Sequence, residues 1–213
     1  MDIFDAPITL PDTVYIACSG PNGKPHYSRI PADACVLATN MAVMIPTWYD
    51  TAWTVSQWWS FSINYAFSPH QPAYEKGWWK DAMKLDVIRV FGAGLLARDD
   101  IPRDYEFECR PDFNLEPRPY TLIPNICRTG CSIASAPLQY CYHKGVKRVI
   151  YCGCDMYGDN YMNGSTNPIK SQSSPLKKDH RWGDTEMLDR MIECCVGMDV
   201  VSLSETELNI EVI

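Results

Sequence analysis

Ten cysteines are the residues whose chemistry first suggests a metal site in this sequence. Three close pairs occur among them: Cys127/Cys131, Cys152/Cys154 and Cys194/Cys195. Zinc and iron–sulfur sites usually draw on C-x-x-C pairs, and none is present. Cys152 and Cys154 would share one face of a strand, whereas Cys194 and Cys195 would diverge on a helix. We therefore expect no metal, and we expect reduced, buried thiols that act as small hydrophobic residues.

The stretch RVIYCGCDMYGDNYMNGS, residues 148–165, ends an apolar run in cysteines, glycines, acids and tyrosines. Its acids imitate part of a calcium-binding loop, but no glutamate closes a loop of twelve residues, so calcium is not expected either. Carboxylate and phenol side chains placed directly after a strand can instead contact a polar ligand. The strands and helices of the fold must then place these side chains beside the ligand.

Two further polar positions follow apolar runs. The loop CSGPNG, residues 18–23, could present backbone N–H groups outside the carboxyl edge of a parallel sheet. It matches neither G-x-G-x-x-G nor the P-loop pattern, and by itself it is typical of a turn. Asn40 also follows an apolar run, and its amide could bind a base or a phosphate, although a lone asparagine more often forms a turn.

Five apolar runs predict the strands that would position these residues. They are residues 13–20, 32–40, 85–94, 146–155 and 198–204. Nearly continuous apolar strands indicate a sheet that is covered on both faces, which means parallel strands with helical crossovers. The sequence therefore predicts an α/β fold: a single Rossmann-like domain with a mainly parallel sheet flanked by helices.

Two crossover helices fit the gaps between these strands. Residues 129–145 have Thr129 as a candidate N-cap and Gly145 as a stop, and Pro137 inside them predicts a bend or a late start. Residues 183–197 have acids in the first turn and apolar side chains at helical spacing. Each helix leads into a predicted strand, as a crossover helix should.

The middle of the chain is rich in tryptophan and proline. Residues 46–80 hold six of the seven tryptophans, and we expect these rings to pack in the core or anchor the surface. The alternative is an aromatic lid over a sugar. We interpret residues 1–213 as one domain in which residues 46–124 form an aromatic- and proline-rich insertion.

Charge and hydropathy limit the function classes. The 213 residues carry a formal net charge of −7, and no basic cluster exceeds Lys177-Lys178, so we expect no nucleic-acid partner. No apolar run reaches the length of a transmembrane helix, and the N-terminus lacks the pattern of a signal peptide. We expect a cytoplasmic protein, and its exposed aromatics are compatible with a homo-oligomer.

Four blocks in order resemble glycosyltransferase family 42, the bacterial sialyltransferases that use CMP-sialic acid. YIACSGPNGKPHYSRIPADACVLATN is similar to the family's opening strand, its G-x-G-P-S loop and its Y-S-R-L-P segment, with Asn22 in place of the serine. RTGCSIASAPLQYCYHKGVKRVIYCGCDMYGD is similar to the block that ends in G-x-D-x-Y. HRWGDTEMLDRMIE and MDVVSLSETELN are similar to the late helix and the strand after it.

The resemblance implies a variant of the GT-A type, a CMP-sugar donor, a glycan acceptor and no metal or other cofactor. It implies that Tyr157 and Tyr161 stabilise the departing CMP and that His180 is the general base. His26, His70 and His143 have weaker claims to that role. The donor-binding residues that it implies are Ser19, Gly20, Asn22, Asn40, Thr129, Gly130, Gly153 and Asp155.

Two alternatives stay open at this point. One is a nucleotide- or sugar-binding protein on the same fold that does not catalyse. The other is a Mg²⁺-dependent pyrophosphate transferase, similar to the archaeal pterin diphosphokinase-like proteins, which also open with a G-x-G-P-S loop. The second alternative predicts ATP binding with Mg²⁺, whereas the transferase predicts CMP binding without metal.

Overall fold

Parallel strands form one sheet across the part of the chain that the structure describes. The structure is a computed structural model, and it describes residues 1–60, 78–93, 102–111, 122, 126–129, 132–156, 162 and 176–213. Its nine strands are β1 (Thr13–Ala17), β2 (Val36–Thr39), β3 (Gln57–Ser60), β4 (Ile88–Ala93), β5 (Tyr105–Pro111), β6 (Ile126–Thr129), β7 (Arg148–Cys152), β8 (Asp199–Ser202) and β9 (Glu211–Val212).

The strand order places a topological switch point beside β1. The order is β6-β5-β4-β3-β2-β1-β7-β8-β9, and every neighbouring pair is parallel. From β1 the chain builds outward through β2 to β6 on one side, and it then returns to lay β7 against the other side of β1. The connections after β1 and β7 therefore leave their strands in opposite directions, the arrangement at which open α/β sheets place a ligand-binding crevice at the carboxyl edge.

Helical segments cover both faces of the sheet. Helices α3 (Ser135–His143) and α4 (Leu176–Cys194) pack on one face, in a core cluster that includes Val14, Val149 and Tyr151. The other face is covered by α1 (Ile45–Trp48), α2 (Trp78–Ala82) and the 3-10 segments Pro21–Arg29 and Asn40–Met44. The period of two along a strand explains this division, because successive side chains point to opposite faces. Trp58 and Trp59 of β3 show it, one in each cluster, and both are fully buried.

The α/β fold with a parallel sheet is confirmed, as are all five predicted strands. The remaining four strands were not predicted. β3 lies among the tryptophans, and β5 carries charged residues beside its buried Phe107. Short, polar or aromatic strands do not give the continuous apolar signal of a central strand, so periodicity alone misses them.

The prediction of one helix over residues 129–145 is wrong at its start. Thr129 is the last residue of β6 and caps no helix, and α3 begins only at Ser135. Pro137 lies in the first turn of α3, where its missing N–H has no helical partner to lose, so the late start that Pro137 predicted is confirmed. Helix α4 begins at Leu176, earlier than residue 183, and ends at Cys194.

Packing explains most of the described tryptophans. Trp53, Trp58, Trp59 and Trp79 are buried, whereas Trp48 is 37% exposed. The segment 46–124 contributes β3, β4 and β5 to the common sheet. Its interpretation as an insertion into a single domain stays a prediction. No helix of the described residues is both long and apolar enough to span a bilayer.

Candidate functional site

The carboxyl ends of β1, β2 and β7 bring most of the predicted donor-binding residues to one edge of the sheet. Ser19, Gly20 and Asn22 follow β1, and Gly153 and Asp155 follow β7. Asn40 follows β2, the neighbour of β1, with a left-handed φ of 47°, a conformation that asparagine tolerates better than most residues. Because β1 and β7 flank the switch point, these residues line the crevice where open α/β sheets bind their ligands.

Two glycines allow the loops after β1 and β7 to touch. Gly153 has a φ of 75°, and a Cβ there would lie 2.6 Å from the Cys18 carbonyl oxygen. A Cβ on Gly20 would overlap the Asp155 carboxylate. Two backbone bonds fix the approach, from Cys18 N–H to the Cys152 carbonyl and from Gly20 N–H to the Gly153 carbonyl, both 2.8 Å long. Only glycine fits at these two positions, which explains why a glycine directly follows β7.

Asp155 anchors the loop after β1. Its side chain is 2% exposed, and its Oδ2 accepts a hydrogen bond of 2.9 Å from the backbone N–H of Asn22. This bond satisfies one of the N–H groups that the start of the 3-10 segment Pro21–Arg29 leaves without an intrahelical partner. A carboxylate is thus already seated on the first turn of this segment. The geometry gives Asp155 the task of shaping the loop.

The loops after β1 and β7 are in contact, and we call this contact the β1–β7 junction. The segment after β8 also packs against it. The fully buried Ser204 hydroxyl accepts a bond of 2.9 Å from Gly153 N–H, and Thr206 donates its hydroxyl to the Cys154 carbonyl at 2.6 Å. Glu207 N–H donates to the Asp155 carbonyl at 3.1 Å. These bonds fix Gly153 and the carbonyls of Cys154 and Asp155. The conformation of the chain after β7 therefore depends on residues about fifty positions later in the sequence.

Met162 ties the chain beyond β7 back to the same edge. Its N–H donates to the Ser19 carbonyl at 2.8 Å, and its own carbonyl accepts from the Tyr49 hydroxyl at 2.8 Å. Its sulfur accepts from the Tyr27 hydroxyl at 3.1 Å, deep in the structure. Tyr27 is in turn held by the indole N–H of Trp53, which donates to its carbonyl. Met162 therefore links the loop after β1 to Tyr49 and Tyr27.

Burial helps to keep the thiols of Cys152 and Cys154 and the phenol of Tyr27 protonated at neutral pH, because it raises their pKa values. It raises the pKa of Cys152 to about 12, with smaller contributions from Cys18 and Asp155. The pKa of Cys154 is raised by its hydrogen bond with Cys18 and by burial, and burial likewise raises the pKa of Tyr27. These groups therefore act as neutral hydrogen-bonding and packing groups, because a nucleophilic cysteine needs a depressed pKa.

Most of the cysteines whose side chains the structure describes are buried. The Cys152 thiol points to the Gly23 carbonyl at 3.6 Å, which supports the expectation that these cysteines fill small spaces in a tight strand end. Within the described ranges, no three His, Cys, Asp or Glu side chains converge to form a metal site.

Other predicted residues lie away from this junction or outside the described residues. Thr129 ends β6, the far strand of the sheet, with four strands between β6 and β1. The backbone of His180 lies within α4, whereas its side chain lies outside the described part. Gly130, Tyr157 and Tyr161, as well as His70, also lie outside it. The structure thus joins six of the predicted donor-binding residues: Ser19, Gly20, Asn22, Asn40, Gly153 and Asp155.

Sequence reasoning missed the residues that hold the junction from outside. Ser204 and Thr206 belong to the stretch MDVVSLSETELN, where two serines at a spacing of two after an apolar strand were the available signal. Tyr27 and Tyr49 gave no comparable signal, because their partner Met162 lies 135 and 113 residues away in the chain.

The fold and the site together define a doubly wound α/β protein in which polar loops meet at the switch point between β1 and β7. No protein-family model matches its sequence, and no curated protein matches it either. The α-2,3-sialyltransferase Cst-I from Campylobacter jejuni aligns with a TM-score of 0.46 and 12% identity, over 97% of this chain and 84% of that one.

Two further solved structures give similar values. CstII from Campylobacter jejuni, in complex with CMP-3FNeuAc, aligns with a TM-score of 0.45 and 14% identity. The sialyltransferase CST-II, in complex with a trisaccharide acceptor and CMP, aligns with a TM-score of 0.43 and 13% identity. Both alignments cover 90% of this chain and 81% of the other. All three proteins are sialyltransferases, the family that the sequence motifs resemble.

Proposed function

We propose that this chain is a glycosyltransferase that moves a sialic acid or a related sugar from a CMP-sugar to an acceptor hydroxyl, with inversion. One observation carries the proposal: the two sequence blocks that most resemble the donor-binding loops meet at the switch point, joined by the bond from Asn22 N–H to Asp155. Sheets of this topology bind nucleotides in that crevice.

The described residues would act by holding the donor pocket in shape. Gly20 and Gly153 bring the two loops together, and the buried Asp155 fixes the loop after β1. Ser19, Asn22 and Asn40 line the same edge and would contact the nucleotide. In a pocket that is already rigid, the entropic cost of ordering the side chains on binding is small.

The chemical step would transfer the sugar to the acceptor. The acceptor oxygen attacks the anomeric carbon, the bond from that carbon to the phosphate oxygen breaks, and CMP leaves with the bonding electrons. His180 would take the proton of the acceptor hydroxyl. Tyr157 and Tyr161 would donate hydrogen bonds to the phosphate as its negative charge grows, an interaction that is stronger in the transition state than in the ground state. In this scheme no metal takes part.

Calorimetric titration of the purified chain tests the binding step. We expect CMP to bind with the same affinity in the presence of Mg²⁺ and of a chelator. Binding of ATP only with Mg²⁺ would instead support the pyrophosphate transferase. If neither nucleotide binds, the proposal is wrong.

Donor hydrolysis and transfer assays test the catalytic step. Tyr157→Phe should lower kcat about a hundredfold and change the CMP affinity little, because the hydroxyl acts mainly in the transition state. His180→Ala should retain CMP affinity and lose transfer to an acceptor. Equal losses in kcat and affinity would contradict the leaving-group role of Tyr157. A wild-type chain that binds CMP but never consumes a CMP-sugar would be a non-catalytic binder.

A further inference from the structure

Lys24 extends an ammonium group over an aromatic ring at the edge of the candidate site. It lies in the 3-10 segment Pro21–Arg29, directly after the loop that follows β1, and its side chain is exposed. Its Nζ lies 5.2 Å from the centre of the Tyr49 ring. At this separation the negative face of the ring attracts the cation and restricts where the flexible side chain can place it.

The Tyr49 ring is itself held in a fixed position. Its hydroxyl donates to the Met162 carbonyl at 2.8 Å, and the ring centre lies 5.4 Å from that of Tyr27. Met162 in turn donates its N–H to the Ser19 carbonyl. The ammonium is therefore coupled through Tyr49 and Met162 to a predicted donor-binding residue. These contacts run from Lys24 in the 3-10 segment back to Ser19 in the loop just before it.

Lys24 differs from Lys84 and Lys144 in how its charge is used. Lys84 pairs with Asp81 at 2.9 Å, and the ammonium of Lys144 donates to the carbonyls of Phe4 and Ala6. In the described ranges no carboxylate lies within ion-pair distance of Lys24. The acidic residues on the β7–β8 side of the edge are Asp155, Glu205 and Glu207, and Arg29 also reaches this side, where its guanidinium donates to the Leu203 carbonyl at 3.4 Å. Three carboxylates and one guanidinium thus lie on that side, whereas Lys24 offers a positive charge from the segment that follows β1.

We propose that Lys24, held by the Tyr49 ring, binds the phosphate of the nucleotide and so makes the site select phosphorylated over neutral nucleosides. The inference rests on the proposed function, since it assumes a nucleotide in the crevice between β1 and β7. An ammonium acts as a point charge toward phosphate, and a phosphate placed on this side avoids the acidic groups beyond β7.

The first experiment compares CMP with cytidine, which has the same base and sugar and no phosphate. Calorimetry is performed on the wild-type chain, on Lys24→Met and on the matched control Lys84→Met. We expect Lys24→Met to weaken CMP binding about tenfold, as for the loss of one charge-assisted contact, and to leave cytidine binding unchanged. The salt dependence of CMP binding should also become shallower. Lys84→Met should match the wild type for both ligands.

A second pair of variants separates the two contacts of Tyr49. Tyr49→Leu removes the ring under the ammonium and should weaken CMP binding more than cytidine binding. Tyr49→Phe keeps the ring and loses only the bond to Met162, so its preference for CMP over cytidine should remain close to that of the wild type. Circular dichroism spectra verify that each variant is folded.

The outcomes distinguish this inference from the function on which it rests. Unchanged CMP binding in Lys24→Met overturns the role of Lys24 and leaves the transferase proposal intact. An equal loss for CMP and cytidine also overturns it, because a structural effect does not depend on the phosphate. A loss seen with a CMP-sugar but not with CMP would assign Lys24 to the sugar carboxylate and overturn the phosphate assignment. Failure of the wild-type chain to bind CMP overturns both proposals.

Discussion

The β1–β7 junction and the aromatic cluster of β3, β4 and α2 are held together by different forces. At the junction, hydrogen bonds of 2.8 to 2.9 Å join Gly20, Asn22, Gly153 and Ser204 to their partners, and glycines let the backbones touch. In the cluster, the Trp58 ring packs edge-on against Trp78, Trp79 and Phe91, with ring centres 5.0 to 6.1 Å apart. The Trp58 indole N–H is buried there without a hydrogen-bond partner among the described residues.

The difference indicates that the junction positions atoms precisely, whereas the aromatic cluster mainly stabilises the fold. Hydrogen bonds are directional and fix atoms within a few tenths of an ångström, which a ligand site requires. Aromatic packing contributes a large buried area with a looser demand on geometry. We therefore expect changes in the cluster to reduce stability alone, and changes at the junction to reduce binding as well.

The largest effect on stability should come from Trp58→Ala in the cluster. Loss of a fully buried ring should lower the free energy of unfolding by about 4 kcal/mol, as measured by urea denaturation. The CMP affinity of the folded variant should equal that of the wild type. Trp48→Ala is the control, because Trp48 is 37% exposed, and it should cost less than about 0.5 kcal/mol. A parallel loss of CMP affinity in Trp58→Ala would show that the two regions are coupled.

Gly153→Ala should have the next largest effect, and it should lower both the stability of the fold and the affinity for CMP. The left-handed φ and the overlap with the Cys18 carbonyl should together cost about 3 kcal/mol, and CMP binding should weaken at least tenfold by calorimetry. The matched control is Gly145→Ala. Gly145 has a similar φ of 77°, but nothing lies within 4 Å of an added Cβ. It should lose only about 1 kcal/mol and no affinity. Equal costs at the two glycines would refute the close contact of the loops.

Asp155→Ala should have a smaller effect, of about 2 kcal/mol, because it leaves the half-buried N–H of Asn22 without its charged acceptor. Exchange of the Asn22 amide hydrogen should accelerate. Asp104→Ala is the control. The exposed Asp104 carboxylate accepts a hydrogen bond of 2.8 Å from the backbone N–H of Arg89, so this variant removes the same type of bond where water can replace it. It should lower the free energy of unfolding by about 0.5 kcal/mol. If Asn22 exchanges at its wild-type rate in Asp155→Ala, then Asp155 does not anchor the loop.

The sequence predicted the central strands well because their signal is local. β1, β2 and β7 are short apolar runs bounded by turn residues, and burial on both faces makes such runs nearly continuous. The start of α3 was predicted wrongly because residues 126–129 pair with β5 across the sheet. That pairing depends on a partner distant in sequence, and no local propensity encodes it.

In the candidate site, too, some features have a local signal in the sequence and others depend on residues that are distant in the chain. The motifs themselves indicated that Gly153 and Asp155 belong together at a strand end. The bond between Asp155 and Asn22 joins residues 133 positions apart, and Ser204 reaches Gly153 from a different strand connection. Lys24 and Tyr49 drew no attention as sequence, because a lysine and a tyrosine in separate loops have no spacing that marks them as neighbours.

The sequence by itself determined that this chain forms parallel strands with helical crossovers, and that glycines and an aspartate follow two of the strands. Hydrophobic period and turn chemistry act over a few residues, so they can be read along the chain. The tertiary structure decided that β7 lies against β1, and hence that these two strand ends share one crevice. Strand order is set by packing and pairing between distant segments, and the site exists only where that order brings its residues into contact.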